Sequence, residues 1–237
     1  MPEPGPGEAL VRVRAAAITR DELTWPVDRL PAIPSYELSG VVVEVAPDVD
    51  EVVSGDEVFA LTPFDRDGAA AEYAAVPADT LAPKPQTLTY VESAALPLAG
   101  LSAYQGLFSR GGLSEGERVR VLGPTGGVGH LAVQLAGEQQ AQGDEPYDLL
   151  FDTVGGEVLA GSVASARRVV SVAEEAEGVS YFIVEPNREQ LTAIAKLTDA
   201  GELRPPPVEV FPFTSAREAF ARSLERGRLG KVVLAVT

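Results

Sequence analysis

Apolar and polar residues alternate through "EALVRVRAAAI" (8–18), the period of a strand with one face buried. "SGVVVEVAP" (39–47) is a β-branched run that stops at a turn, and "GDEVFAL" (55–61) is a strand entered through Gly-Asp. "AAAEYAAVPADTLAPKP" (69–85) adds a short strand between proline breaks. Short strands at this spacing predict a small antiparallel barrel over the first part of the chain.

The period then lengthens. "TLTYVESAALPLAGLSAYQGLF" (87–108) predicts two helical pieces divided at Pro97, the first N-capped by Thr89 with Glu92 completing a capping box. "GERVRVLGPTGGVGHLAVQLAGEQQ" (116–140) reads strand, glycine turn, helix. "YDLLFDTVGG" (147–156), "RRVVSVA" (167–173) and "SYFIVE" (180–185) predict short buried strands, and 187–203 a helix capped by Asn187. Strands alternating with helices predict a parallel α/β sheet. The tail returns to β character, with one amphipathic helix (215–226) and a final strand (231–236).

Composition narrows the chemistry. There is no cysteine, which removes disulfides and thiolate metal sites, and the single histidine is His130. A net charge of −16 argues against nucleic acid, which needs basic surface. No apolar run approaches the roughly 18 residues of a membrane span. The first residues show no apolar signal core, so the expected location is the cytoplasm.

The glycine turn, Gly123-Pro-Thr-Gly-Gly-Val-Gly129, follows a strand and opens a helix. Glycines there let backbone approach a pyrophosphate, whose charge suits a helix N-terminus. Gly126, Gly127, Val128 and Gly129 are the candidate cofactor contacts. A dinucleotide fold carries its ribose-binding residue about 20 residues further on, at the end of the second strand, and Asp152 stands at that distance.

Six segments in order extend this reading: "LPAIPSYELSGVVVEV", "GDEVFAL", "ESAALPLAGLSAYQGLF", "GERVRVLGPTGGVGHLAVQLA", "FDTVGGEVL" and "GRLGKVVLAV". Together they resemble the zinc-independent medium-chain dehydrogenase/reductases, in the quinone oxidoreductase and enone reductase branch. The resemblance implies an α/β protein. A GroES-like β-barrel (1–86 with 204–237) would join a Rossmann-type parallel-sheet domain (87–203). It implies NADPH as hydride donor, no metal, a small carbonyl or quinone substrate and a homodimer. It adds Lys231 to the cofactor candidates. Zinc-dependent relatives carry Gly-His-Glu where this chain has Ser35-Tyr36-Glu37, so Tyr36 replaces a metal-binding histidine.

The chain also departs from the family. It begins where relatives have already made an opening strand pair, so the first hairpin is expected to be missing. "FDTVGG" matches the family's fourth strand, which implies that the second and third strands are lost. By spacing alone it is the second strand, and both assignments stand at this point. The bridging segment "QAQGDEPY" (140–147), together with Glu138, supplies acidic residues where a basic grip on a 2′-phosphate would be needed, so NADPH binding is expected to be weak or absent.

For the chemistry, Tyr36 is the best hydrogen-bond donor to a substrate carbonyl, with Asp21 and Arg20 as further catalytic candidates. Trp25, Thr62, Phe64 and Tyr104 are candidate walls of the substrate pocket. Three functions remain: an NADPH-dependent quinone or enone oxidoreductase, a cofactor-independent cyclase, dehydratase or isomerase, and a non-catalytic binding subunit.

Overall fold

The computed structural model describes residues 1–20, 22–25, 30–141, 146–225 and 230–236. In chain order the elements are β1 (Glu8–Ile18), β2 (Glu37–Val45), β3 (Glu57–Leu61), β4 (Tyr73–Pro77), β5 (Ala82–Pro83), α1 (Tyr90–Ala94) and α2 (Pro97–Tyr104). Then come β6 (Val119–Leu122), α3 (Gly127–Ala136), β7 (Tyr147–Asp152), α4 (Gly156–Ala160), β8 (Ala166–Ser171) and β9 (Ser180–Tyr181). The chain finishes with α5 (Arg188–Asp199), β10 (Val208–Pro212), α6 (Ala216–Ser223) and β11 (Lys231–Ala235). They form two compact units, Met1–Leu98 with Glu185–Thr237, and Ala99–Val184.

The first unit is built on a seven-stranded sheet in the order β10-β11-β1-β2-β3-β5, with β4 also paired to β1. β1 departs from simple alternation, because nearly all of Ala9–Ile18 is buried. A register irregularity between Val13 and Ala15 explains this. Before it, Ala9, Val11 and Val13 enter the barrel core. A bulge shifts the parity of every later side chain, so Ala16 takes over on that face while Ala15 and Ala17 turn to pack against Ala94 and Ala95 after α1 begins. α1 starts as expected, with both halves of the Thr89/Glu92 capping box formed.

α5 also belongs to this unit rather than to the α/β unit where the sequence reading put it. Hydrogen bonds at both of its ends explain the difference. Arg188 donates to the Leu81 carbonyl at 2.6 Å and the Glu51 carbonyl at 2.9 Å. Asp199 accepts from the amides of Gln86 and Thr87. Its start was legible, since the Asn187 side chain accepts from the Gln190 amide at 2.9 Å.

The second unit holds a four-stranded parallel sheet in the order β6-β7-β8-β9. Successive backbone groups of a strand point to opposite edges, and this locates β7. The Arg118 carbonyl accepts from the Leu149 amide at 3.1 Å, whereas the Val119 carbonyl accepts from Ala141 at 2.8 Å. The chain leaving α3 therefore touches one edge of β6 through a single parallel bridge, Val119 to Gln140, and β7 lies on the opposite edge. The second-strand reading drawn from spacing is corrected. Among the described residues that slot holds one bridging residue, and the Asp152 strand sits across β6 beside β8.

The expected strand over 180–185 is paired only at Ser180 and Tyr181, and Ile183 is 62% exposed. The amphipathic tail helix runs from Ala216 to Ser223, and its expected end at Arg226 lies outside the described residues. Among the described residues no helix is long and apolar enough to cross a membrane.

Candidate functional site

The barrel unit contains a buried polar cluster. Glu37, first residue of β2, is fully buried. Its carboxylate pairs with the Lys231 ammonium and accepts from the Thr19 hydroxyl at 3.1 Å and from the Leu98 amide at 2.9 Å. Leu98 lies in the first turn of α2, where carboxylates are favoured by the unpaired amides. Lys231 is held at the start of β11 by its neighbour. Gly230 has φ +72°, and a Cβ there would lie 1.8 Å from the Pro207 carbonyl oxygen, so only glycine fits. Lys231, expected at the cofactor, is thus committed to Glu37, and with a side chain only 8% exposed it has little to offer elsewhere.

Glu22 completes the cluster. One oxygen accepts from the Thr19 amide and the other from the Ser35 amide, both at 3.0 Å. Burial pushes its pKa up to about 8, and the nearby Glu37 charge adds to the shift, against the opposing pull of the Thr19 amide, Lys231 and the Ser35 amide. At neutral pH it is mainly a neutral acid, so three potentially charged groups carry little net charge. Sequence reasoning missed Glu22. Its signal was present as Thr19-x-x-Glu22, the capping-box spacing at the start of a helical turn.

The cluster supports an unusual turn. Ser35 has φ +67°, a strained conformation for a residue other than glycine. It is fixed by Glu22, by its own hydroxyl donating to the Ala17 carbonyl at 2.6 Å, and by the Ala69 amide on its carbonyl. The next residue is Tyr36. Thr62 donates both its amide (2.7 Å) and its hydroxyl (3.1 Å) to the Tyr36 carbonyl. Thr62, a candidate pocket wall, thus acts as a backbone clamp on Tyr36.

Tyr36, Phe64 and Trp25 meet as an aromatic trio. Ring centroids are 5.1 Å apart for Tyr36 and Phe64, 5.3 Å for Trp25 and Phe64, and 6.0 Å for Trp25 and Tyr36. The first two contacts are edge-on and the third is stacked, the arrangements that aromatic quadrupoles favour. The sequence-predicted Tyr36, Trp25 and Phe64 are thus brought together in one place. Arg20 is exposed beside Thr19, and Asp21 lies outside the described residues. Tyr104 belongs to the other unit, where it packs edge-on against Phe108 at 5.1 Å.

In the α/β unit, the glycine turn closes tightly. Gly123 has φ +79°, and a Cβ on Gly129 would lie 2.0 Å from the Gly123 carbonyl oxygen. Gly126 is the N-cap of α3 and has no side chain to cap it. The first-turn amides are therefore left to an anion. His130, in the first turn of the same helix, has a buried Nε2 without a hydrogen-bond partner. These residues fit a phosphate group of a nicotinamide cofactor.

Asp152 does not fit its ribose. It is fully buried, accepts from the Val154 and Gly155 amides at 3.0 and 3.1 Å, and takes the Ser171 hydroxyl at 2.7 Å. Among the described residues no group of three or more His, Asp or Glu side chains is placed to hold a metal ion.

Known proteins share this plan. Residues 5–86 match the model of the alcohol dehydrogenase GroES-like domain, and residues 129–234 that of zinc-binding dehydrogenases. A 2-methylene-furan-3-one reductase of Solanum lycopersicum is 31% identical over 278 aligned positions, covering 96% of this chain and 71% of that protein. That alignment exceeds the 237 residues of this chain, so the relative carries stretches that this chain lacks. An NADPH-dependent alkenal/one oxidoreductase of Arabidopsis thaliana is 28% identical over 99% of this chain and 73% of its own length. The solved quinone oxidoreductase of Coxiella burnetii superposes with a TM-score of 0.85 at 26% identity, covering all of this chain and 93% of that one. The chain belongs to the medium-chain dehydrogenase/reductase family, among its enone- and quinone-type oxidoreductases.

Proposed function

We propose that the protein reduces the carbon–carbon double bond of small conjugated carbonyl compounds, enones or quinones, with a reduced nicotinamide cofactor. The observation that carries this reading is the Tyr36 phenol, set in an aromatic trio on a turn that the Glu22 cluster holds. The relatives named as enone and quinone reductases support it.

When bound, the reduced nicotinamide supplies two electrons and one hydrogen to the carbon β to the carbonyl. The rest falls to the chain. Tyr36 donates a hydrogen bond to the carbonyl oxygen and stabilises the charge that builds there. Trp25 and Phe64 give the substrate apolar walls. The second hydrogen reaches the α carbon as a proton from the phenol or from water. Arg20, beside Thr19, would serve a charged substituent, and Asp21, next in sequence, would resupply the proton. The amides of Gly127, Val128 and Gly129, with Gly126 keeping the approach open, would hold the phosphate on the nicotinamide side of the cofactor. Asp152 and Lys231 have no part in it.

The test mixes the protein with NADPH or NADH and either cyclohexenone or para-benzoquinone, with saturated cyclohexanone as control. Cofactor is expected to be consumed with the first two only. No consumption above background with any enone or quinone would sink the proposal. Conversion of the enone without cofactor would favour the cofactor-independent isomerase or dehydratase reading. The same proposal includes a homodimer. Among the described residues β9 pairs with β8 alone, and Tyr181 and Ile183 beside that edge are exposed. A monomer in sedimentation at high concentration would remove that part.

A further inference from the structure

The glycine turn and the sheet edge next to it disagree about how much of a cofactor they can hold. The turn has helix-start amides without a capping side chain and tight glycine packing, which suit a phosphate, and the unpartnered His130 Nε2 lies in the same first helical turn. In a dinucleotide fold the adenosine lies further out, gripped by a charged residue at the end of the second strand. Among the described residues that strand is one parallel bridge at Gln140.

Chain length makes this independent of any local detail. From Gln140 the chain must cross to Tyr147, already in β7 on the far edge of β6, within seven residues. A further strand–helix–strand unit needs a dozen or more residues in its crossover alone.

The side chains at the bridge do not replace the missing grip. Glu138 is exposed, and Gln139 is used up on the carbonyls of Ser114 and Glu117. Gln140 Oε1 is buried without a partner. From Gly137 to Tyr147 the sequence contains no lysine or arginine and three acids, Glu138, Asp144 and Glu145. The exposed Glu138 would repel a 2′-phosphate, within a chain of net charge −16. Asp152, the remaining acidic candidate for a ribose, is consumed by its own loop.

We propose that this chain recognises a nicotinamide cofactor through its mononucleotide half alone, so that reduced nicotinamide mononucleotide, NADH and NADPH are equivalent ligands. This rests on the oxidoreductase reading above and deepens it. The adenosine of a dinucleotide stays in solvent, and the extra phosphate of NADPH gains nothing.

The test is isothermal titration of the intact protein with each of the three reduced cofactors, and of NADH again in the presence of adenosine 2′,5′-bisphosphate. The three dissociation constants are expected to agree within about threefold, with NADPH no tighter than NADH. The bisphosphate is expected not to compete. NADPH or NADH binding about tenfold or more tightly than the mononucleotide, or displacement by the bisphosphate, would overturn the inference while leaving the oxidoreductase reading in place. Binding of none of the three would overturn both.

Discussion

The barrel's polar cluster and the start of α3 in the α/β unit treat buried polarity in opposite ways. In the barrel, Glu22, Glu37, Lys231, Thr19 and Ser35 hold one another and the backbone through specific contacts. In the α/β unit, the amides at the start of α3 lack a capping side chain, and two buried polar atoms, on His130 and Gln140, have no partner. Saturated polar groups fix geometry, and unsatisfied ones invite a ligand. The first unit thus has the features of a positioning device for Tyr36. The second has those of a phosphate cradle beside a shortened sheet.

The largest expected effect breaks the barrel's side of this comparison. Lys231→Ala strands the Glu37 carboxylate in a buried site, which should cost about 3–5 kcal/mol in chemical denaturation. The double change Glu37→Gln with Lys231→Met should recover much of that loss, because it removes both charges. A single variant as stable as the parent would mean that the pair does not organise the unit.

Next comes pH. Glu22 binds its proton more tightly folded (pKa about 8) than unfolded, where it returns to 4.5. Its contribution is therefore intact below pH 4.5 and is lost as pH rises through 8. Relative to Glu22→Gln, which cannot ionise, the parent should lose on the order of 3 kcal/mol between pH 5 and 8. Parallel stability profiles for the two proteins would refute the buried neutral acid.

A smaller effect is expected in the α/β unit. Gly129→Ala drives a methyl into the Gly123 carbonyl and should cost about 1–3 kcal/mol. Gly126→Ala, whose Cβ would meet that same oxygen at an ordinary 3.5 Å, should cost clearly less. Thermal unfolding of the two variants side by side checks this. Equal losses would show that the turn is not packed as described.

Local chemistry is what the sequence made readable. The capping box at Thr89, the cap at Asn187 and the strand–turn–helix around Gly123 are all set by neighbours within a few residues. Pairings made at long range were not readable. Glu37 and Lys231 are 194 residues apart, and nothing in either segment announces the other. The bulge in β1 was hidden because the run after it, Ala15–Ile18, is apolar throughout, so a change of parity leaves no mark in the sequence. The slot taken by the Asp152 strand was ambiguous for a physical reason, since spacing counts residues but cannot tell which edge of β6 they reach. Tyr36, Trp25 and Phe64 were identified from residue type and family position, whereas Glu22, which supports them, appeared only once burial was known.

The proposed reduction depends most on Tyr36 as the donor to the substrate carbonyl. The direct measurement is steady-state reduction of cyclohexenone by the parent and by Tyr36→Phe, with folding checked by circular dichroism. The phenylalanine keeps the ring contacts and removes only the hydroxyl. A fall in kcat of about a hundredfold, with KM and stability little changed, is the predicted result. An unchanged kcat in a correctly folded variant would contradict it.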